Sequence, residues 1–267
     1  MSCFLATSTA ALAETHRLAW AELPADLHTP VRAFLALRAA GRRVCLLESA
    51  EGPERLARFS FLGVDPVATL CCSGGRGRLS GTDSELELRG QPQDLLREAA
   101  SRYPAPRPAR SLPPFCGGWI GSFAYEWASC LEPRVPRHGG PMARPDAEFH
   151  YYPTVLAFDH ATQRIVLLRA CEHGAESFPA ALEALGDLAR ELGTLPSPGG
   201  AFRLLDAEPQ ASMGQERYQE GVAQLQRAIR EGEIFQAVLS QRFDQRFAGD
   251  AFQLYRVLRL TNPSPHM

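Results

Sequence analysis

Three groups of residues in this sequence have types and spacings from which chemistry could be built: the cluster Gly117-Gly118-Trp119-Ile120-Gly121, seven histidines and seven cysteines. The glycine cluster invites comparison with a phosphate-cradling loop, but its spacing is not G-x-G-x-x-G and no acidic residue follows at ribose distance in a βαβ unit. Its glycines instead point to a close backbone approach in a packed strand or tight turn. Histidines at 16, 28, 138, 150, 160, 173 and 266 form no H-x-x-x-H pair, and no G-x-S-x-G elbow is present, so zinc and serine-hydrolase chemistry lack support. Cysteines at 3, 45, 71, 72, 116, 130 and 171 show no C-x-x-C spacing, which argues against a metal site or a disulfide framework and for core thiols in a reducing compartment. Glu216, Glu220 and Glu231 have the spacing of a solvated helix face.

All 28 basic residues are arginine. A Walker-type phosphate loop, a Schiff-base nucleophile and a lysine general base all need an ammonium side chain, so those three classes are excluded for this stretch of chain. A net charge of −2 leaves no positive surplus for phosphates or anionic lipids, which excludes nucleic acid and membrane surfaces as partners. Ala11-Leu12-Ala13 imitates a signal-peptidase site but has no basic region before it, and Thr7, Ser8 and Thr9 interrupt the apolar run. With no apolar stretch of membrane-spanning length, a soluble, cytoplasmic protein is expected.

The elements that would position such residues read as follows. Thr29-Pro30 caps a short helix that closes at Gly41. Val44 to Ser49 is a buried strand, with further strands at Arg58–Gly63 and Val67–Cys72 and a hairpin ending near Leu88. A helix over 92–102 stops at the proline-rich connector 104–114. Tyr151–Phe158 and Arg164–Arg169 predict a hairpin, and Phe178, Leu182, Leu185 and Leu192 share a helical face. Gly193 to Gln210 is the best linker, which sets the expected domains at 1–200 and 201–267. Ser212 and Gln215 have capping-box spacing before a helix over 213–231 that ends at Gly232. Phe235, Ala237, Leu239 and Phe243 alternate with Gln236, Ser240 and Arg242, predicting a strand, and Asp250 caps a last helix before Asn262-Pro263. Mixed hairpins and helices without βαβ alternation predict an α+β fold, mainly antiparallel sheets packed together with flanking helices, incomplete at the C-terminal end.

Several blocks, in order, resemble the amino-terminal half of anthranilate synthase component I and its para-aminobenzoate-pathway relatives. They are Thr29-Pro30-Val31, Leu46-Leu47-Glu48-Ser49, Arg58-Phe59-Ser60-Phe61-Leu62-Gly63, Gly117-Gly118-x-x-Gly121 with Tyr125-Glu126, Phe158-Asp159-His160, Gly232 to Arg242, and Asn262-Pro263-Ser264-Pro265-His266-Met267. The resemblance implies a Mg²⁺-assisted lyase that joins ammonia, supplied by a glutamine amidotransferase subunit, to chorismate and eliminates pyruvate to leave anthranilate. It places the catalytic residues and the magnesium-binding glutamates in a carboxyl-terminal half, so no catalytic or metal-binding residue carries over to these positions, and the stretch by itself is expected to be inactive.

What does carry over is a feedback site for L-tryptophan, implied at Ser49, Pro265 and Met267, with Glu48 and His266 beside them. A hydroxyl and a carboxylate suit an amino-acid ammonium, while proline and methionine offer apolar surface to an indole. His266 departs from the tyrosine usual in the family. The main alternative is aminodeoxychorismate synthase component I, which uses a lysine nucleophile in a Pro-Ile-x-Gly-Thr motif not present in these residues; Leu-Leu-Glu-Ser and Asn-Pro-Ser-Pro favour anthranilate synthase. A non-catalytic amino-acid-binding module is the second alternative.

Overall fold

The computed structural model describes residues 16–48, 58–81, 84–108, 111–132, 134–136, 145–172, 178–194, 200–264 and 266–267. In chain order the first elements are β1 (His16–Pro24), α1 (Pro30–Ala39), β2 (Val44–Leu47), β3 (Phe59–Val64), β4 (Ala68–Ser73), β5 (Arg76–Ser80), β6 (Glu85–Arg89) and α2 (Pro92–Arg102). After them come β7 (Gly118–Phe123), a 3₁₀ turn at Tyr125–Trp127, α3 (Ala128–Leu131), β8 (Ala147–Tyr152), β9 (Thr154–Asp159), β10 (Arg164–Glu172) and α4 (Phe178–Leu192). They build two five-stranded antiparallel sheets, ordered β1-β10-β9-β3-β2 and β6-β5-β4-β8-β7. The expected α+β class holds.

The two sheets are joined at two corners where proline ends a ladder. Between β3 and β4 the chain turns through Asp65-Pro66, and between β8 and β9 through Pro153. A proline has no N–H for a ladder, so it belongs at such a break. This corrects the reading of Tyr151–Phe158 as one strand: Tyr152 ends a strand of the second sheet and Thr154 opens one in the first. The whole of β1 also went unread, although it pairs with β10 along its full length.

β9 is the central strand of the first sheet, and all six of its residues are buried. On one face Leu156 and Phe158 pack with Leu62, Ile165 and Leu167 against Ala33 and Leu37 of α1 and Leu185, Leu188 and Leu192 of α4. On the other face Ala157, Leu168 and Leu18 meet Cys116 and Leu112 of the proline-rich connector. Two covered faces explain why β9 reads as an almost continuous apolar run rather than an alternating one. The second sheet packs Leu70, Leu79, Phe149 and Tyr151 on Leu95 and Ala99 of α2. α1 begins as expected: Thr29 Oγ1 accepts from the Arg32 N–H at 3.2 Å, and Pro30 sits in the first turn.

The glycine cluster opens β7. Gly117 and Gly118 have φ of +134° and +135°, a region open chiefly to glycine. A Cβ at Gly121 would stand 2.1 Å from the Glu148 carbonyl oxygen. Close approach, not phosphate binding, accounts for the motif.

The chain divides into two compact units, residues 1–197 with 263–267, and residues 198–262. The second contains β11 (Phe202–Leu204), β12 (Gln210–Ala211), α5 (Gln215–Arg230), β13 (Phe243–Asp244), β14 (Phe247–Gly249) and α6 (Phe252–Thr261). β11 pairs with β14, and β12 with β13. The strand predicted over 235–243 is not there: only Phe243 lies in a strand, and Phe235 and Val238 are 93% and 86% exposed. An alternating sequence makes a strand only where a neighbour completes its ladder and covers its dry face, and here neither is met over 235–242. The capping box is also absent. Ser212 Oγ is 3.4 Å from Gln241 Oε1 and accepts from the Arg242 N–H at 3.3 Å, so Gly214 caps α5 without a side-chain bond.

None of the described residues from 200 to 262 is buried. The helices keep amphipathic stripes, yet Ile229, Leu254, Val257, Leu258 and Leu260 are exposed, and most helix stability comes from packing such a stripe. Trp20, Trp119 and Trp127 all lie in the first unit. In a urea titration of this chain, far-ultraviolet dichroism should therefore begin to fall before tryptophan fluorescence changes; coincident transitions would contradict a coreless second unit.

Candidate functional site

β2 is the edge strand of the first sheet, and it is pinned at both ends. At its start Arg42 bridges Asp65 at 2.9 Å and Glu191 of α4 at 2.7 Å, and hydrogen bonds to Glu191 and then Asp65 hold the guanidinium firmly protonated. At its finish the Glu48 N–H donates to the Met267 backbone oxygen and the Met267 N–H donates to the Glu48 carbonyl, both at 2.8 Å. Such an exchange of both bonds between two residues is the hydrogen-bonded pair of an antiparallel ladder, so the two side chains leave on the same face.

Two of the residues chosen from the sequence, more than two hundred positions apart, are thus brought together. Glu48 is 4% exposed, Met267 is half-buried and His266 is exposed, its N–H donating to Ser264 Oγ at 3.4 Å. Ser49 and Pro265 lie outside the described residues. The pair sets a carboxylate, shielded from bulk water, beside a polarisable thioether. That combination can meet a cation at one end and an apolar ring at the other.

Next along the sheet lie groups to which sequence reasoning gave no role, though it quoted the blocks containing them. Ser60, 2% exposed, has its Oγ 2.8 Å from His160 Nε2. Arg58 makes a bidentate pair with Asp159 at 3.0 and 2.6 Å, and its guanidinium lies 4.8 Å from the Phe59 ring centre. The blocks 58–63 and 158–160 are therefore partners across one ladder, a pairing that only the register reveals. Beside them a cleft of about 550 Å³ is lined by Glu22, Arg58, Asp159, Arg164 and the connector. Its charges are already paired, since Arg164 bonds Glu22 at 2.8 Å.

Burial pushes the Cys72 and Cys116 thiols up to about 11, which fits core packing rather than reactivity. Among the described residues no three His, Cys, Asp or Glu side chains converge as ligands.

Two antiparallel sheets, one of them carrying a shielded carboxylate at its edge and motif blocks paired across its ladder, define an α+β protein built around a joined edge strand. Residues 42–267 match the profile described as chorismate binding enzyme, and the chain belongs to that family. It is 34% identical to anthranilate synthase component 1 of Synechocystis sp. over 265 residues, which cover 92% of this chain and 52% of that protein. The corresponding protein of Geobacillus stearothermophilus is 31% identical, with 91% and 51% covered. The crystal structure of anthranilate synthase component I from Streptococcus pneumoniae TIGR4 superposes with a TM-score of 0.62 at 26% identity, covering 89% of this chain and 51% of that one. The chain spans about half the length of the curated relatives it matches. The expected resemblance to anthranilate synthase component I thus holds at the level of the family.

The Arg58–Asp159 pair generates a pH prediction. The Arg58 hydrogen bond, aided by the Ala161 and Thr162 N–H groups, holds the Asp159 carboxyl below its ordinary value of 3.8. A depressed folded-state value means that the stabilisation is present above 3.8 and is lost as pH falls through the lowered value. Asp159→Asn should lower the urea midpoint at neutral pH and flatten its decline toward pH ~3; parallel pH curves for the two proteins would show that the pair contributes nothing to folding.

Proposed function

We propose that this chain is the feedback-regulatory part of an anthranilate synthase component I. It binds L-tryptophan through Glu48, Ser49, Pro265, His266 and Met267. The whole enzyme of which these residues are part makes anthranilate and pyruvate from chorismate in the cytoplasm, with Mg²⁺ and with ammonia delivered by a glutamine amidotransferase subunit. The observation that carries the proposal is the reciprocal hydrogen bonding of Glu48 and Met267, which joins the two segments the resemblance assigned to one ligand. The names of the relatives support anthranilate over aminodeoxychorismate as product.

The amino-acid ammonium faces the Glu48 carboxylate and the Ser49 hydroxyl, and the indole lies on Met267 and Pro265. The segment 263–267 follows α6 directly in the chain. A ligand that holds this segment on β2 favours the docked arrangement over an undocked one by the difference in its affinity for the two. Inhibition then needs no contact with the reacting atoms.

Calorimetric titration of L-tryptophan into the purified chain, with fluorometric assay of anthranilate from chorismate and ammonium alongside, tests both halves of the proposal. Binding is expected, without anthranilate formation. Ser49→Ala should weaken binding roughly tenfold to a hundredfold, the cost of one hydrogen bond to a charged group. Equal affinities would remove Ser49 from the site, and turnover by the chain would overturn its regulatory assignment.

A further inference from the structure

We propose that the cleft between the proline-rich connector and the end of the first sheet binds a small carboxylate carried on a flat apolar ring. The register builds its floor. Phe59, Asp159 and Arg164 stand opposite one another across β3, β9 and β10, and two residues farther in, on the same face, Val166 stands opposite Glu22 of β1. The connector covers the middle of this face, where Leu112 and Cys116 pack with Ala157 and Leu168. The space of about 550 Å³ left at the end is lined by Phe59 and Val166 from the sheet and by Leu112, Pro113 and Pro114 from the connector. That volume suits a small molecule, and such sites are mostly apolar with a few placed polar groups. Neither Glu48 nor Met267 lines it, so the inference stands apart from the tryptophan reading.

The polar groups decide the ligand's charge. Both ion pairs of the cleft turn the cation outward: the Arg58 side chain is 46% exposed against 9% for Asp159, and that of Arg164 is 61% exposed against 32% for Glu22. Asp159 is also satisfied from within, accepting twice from Arg58 and once each from the Ala161 and Thr162 N–H groups. The guanidiniums keep donors to spare. Arg58 bonds Asp159 through Nε and Nη2, and Arg164 bonds Glu22 through Nη1; among the described residues these are their only hydrogen-bond partners. Arg164 thus retains its whole Nε–Nη2 edge, the fork that receives a carboxylate with two parallel bonds, and Arg58 retains Nη1. A flat ring behind the carboxylate would cover Phe59 and the proline wall.

Titration of the purified chain with benzoate, followed by saturation-transfer NMR, tests the site, with benzamide as the neutral isostere and acetate as the carboxylate without a ring. Saturable benzoate binding with a Kd of about 1 mM or tighter is expected, and benzamide and acetate should each bind roughly tenfold more weakly or worse. Arg164→Gln should weaken benzoate roughly tenfold and leave benzamide unchanged. Ser111→Trp, at an exposed position of the lining, should fill the cleft and abolish benzoate binding. Ser49→Ala, aimed at tryptophan, should leave benzoate unaffected. If Arg164→Gln fails to melt cooperatively, Ser111→Trp carries the comparison. Benzamide binding as tightly as benzoate would show that the guanidiniums do not read the charge. Benzoate binding that survives Ser111→Trp, or that Ser49→Ala removes, would put the ligand elsewhere. Either result overturns the proposal, as does the absence of saturable benzoate binding, and none of them bears on whether tryptophan binds through Glu48 and Met267.

Discussion

Two backbone hydrogen bonds, exchanged between Glu48 and Met267, are the constraint on which the rest of the candidate site depends. An edge strand offers unpaired N–H and C=O groups along its length, and β2 satisfies its last ones by accepting a remote segment of the same chain. The closure creates no pocket by itself. It decides which side chains share a face, because an exchanged pair forces Glu48 and Met267 to the same side. Without it, Met267 and the residues before it would have no defined relation to the carboxylate.

The two-sheet architecture makes that closure possible. β9 is buried on both faces, so its neighbours β3 and β10 are held in register by packing as well as by ladder bonds, and a slip of one residue would turn apolar side chains toward the wrong layer. β3 in turn fixes β2, and Arg42 anchors the start of β2 to the corner at Asp65 and to α4. The edge is thus tied to the rest of the sheet up to the point where Met267 pairs with Glu48. The unit 198–262 presents a contrast, since its helices display apolar residues to solvent and none of its described residues is buried.

Much of this was legible because local rules decide it. Thr29-Pro30 starts α1, the prolines after 103 stop α2, and Gly74-Gly75 turns β4 into β5, as their backbone preferences require. What escaped depends on partners distant in sequence. Pro153 splits an apolar run into strands of different sheets, β1 is a strand only because β10 accepts it, and 235–242 alternates correctly but finds no ladder. The same holds for the site. Glu48 and Met267 were named through the resemblance, since nothing in their own neighbourhoods marks them as a pair. Ser60 and His160 stood in quoted blocks without a role because a diagonal contact follows from register, which only the folded sheet supplies.

Residue-resolved amide exchange of the Glu48 and Met267 N–H groups, with and without L-tryptophan, tests the central claim most directly. The exchanged pair predicts that both amides are protected well beyond neighbouring exposed positions such as His266, and that the ligand raises the protection of both together. Free exchange at either amide, or protection at both that tryptophan leaves unchanged, would contradict the account.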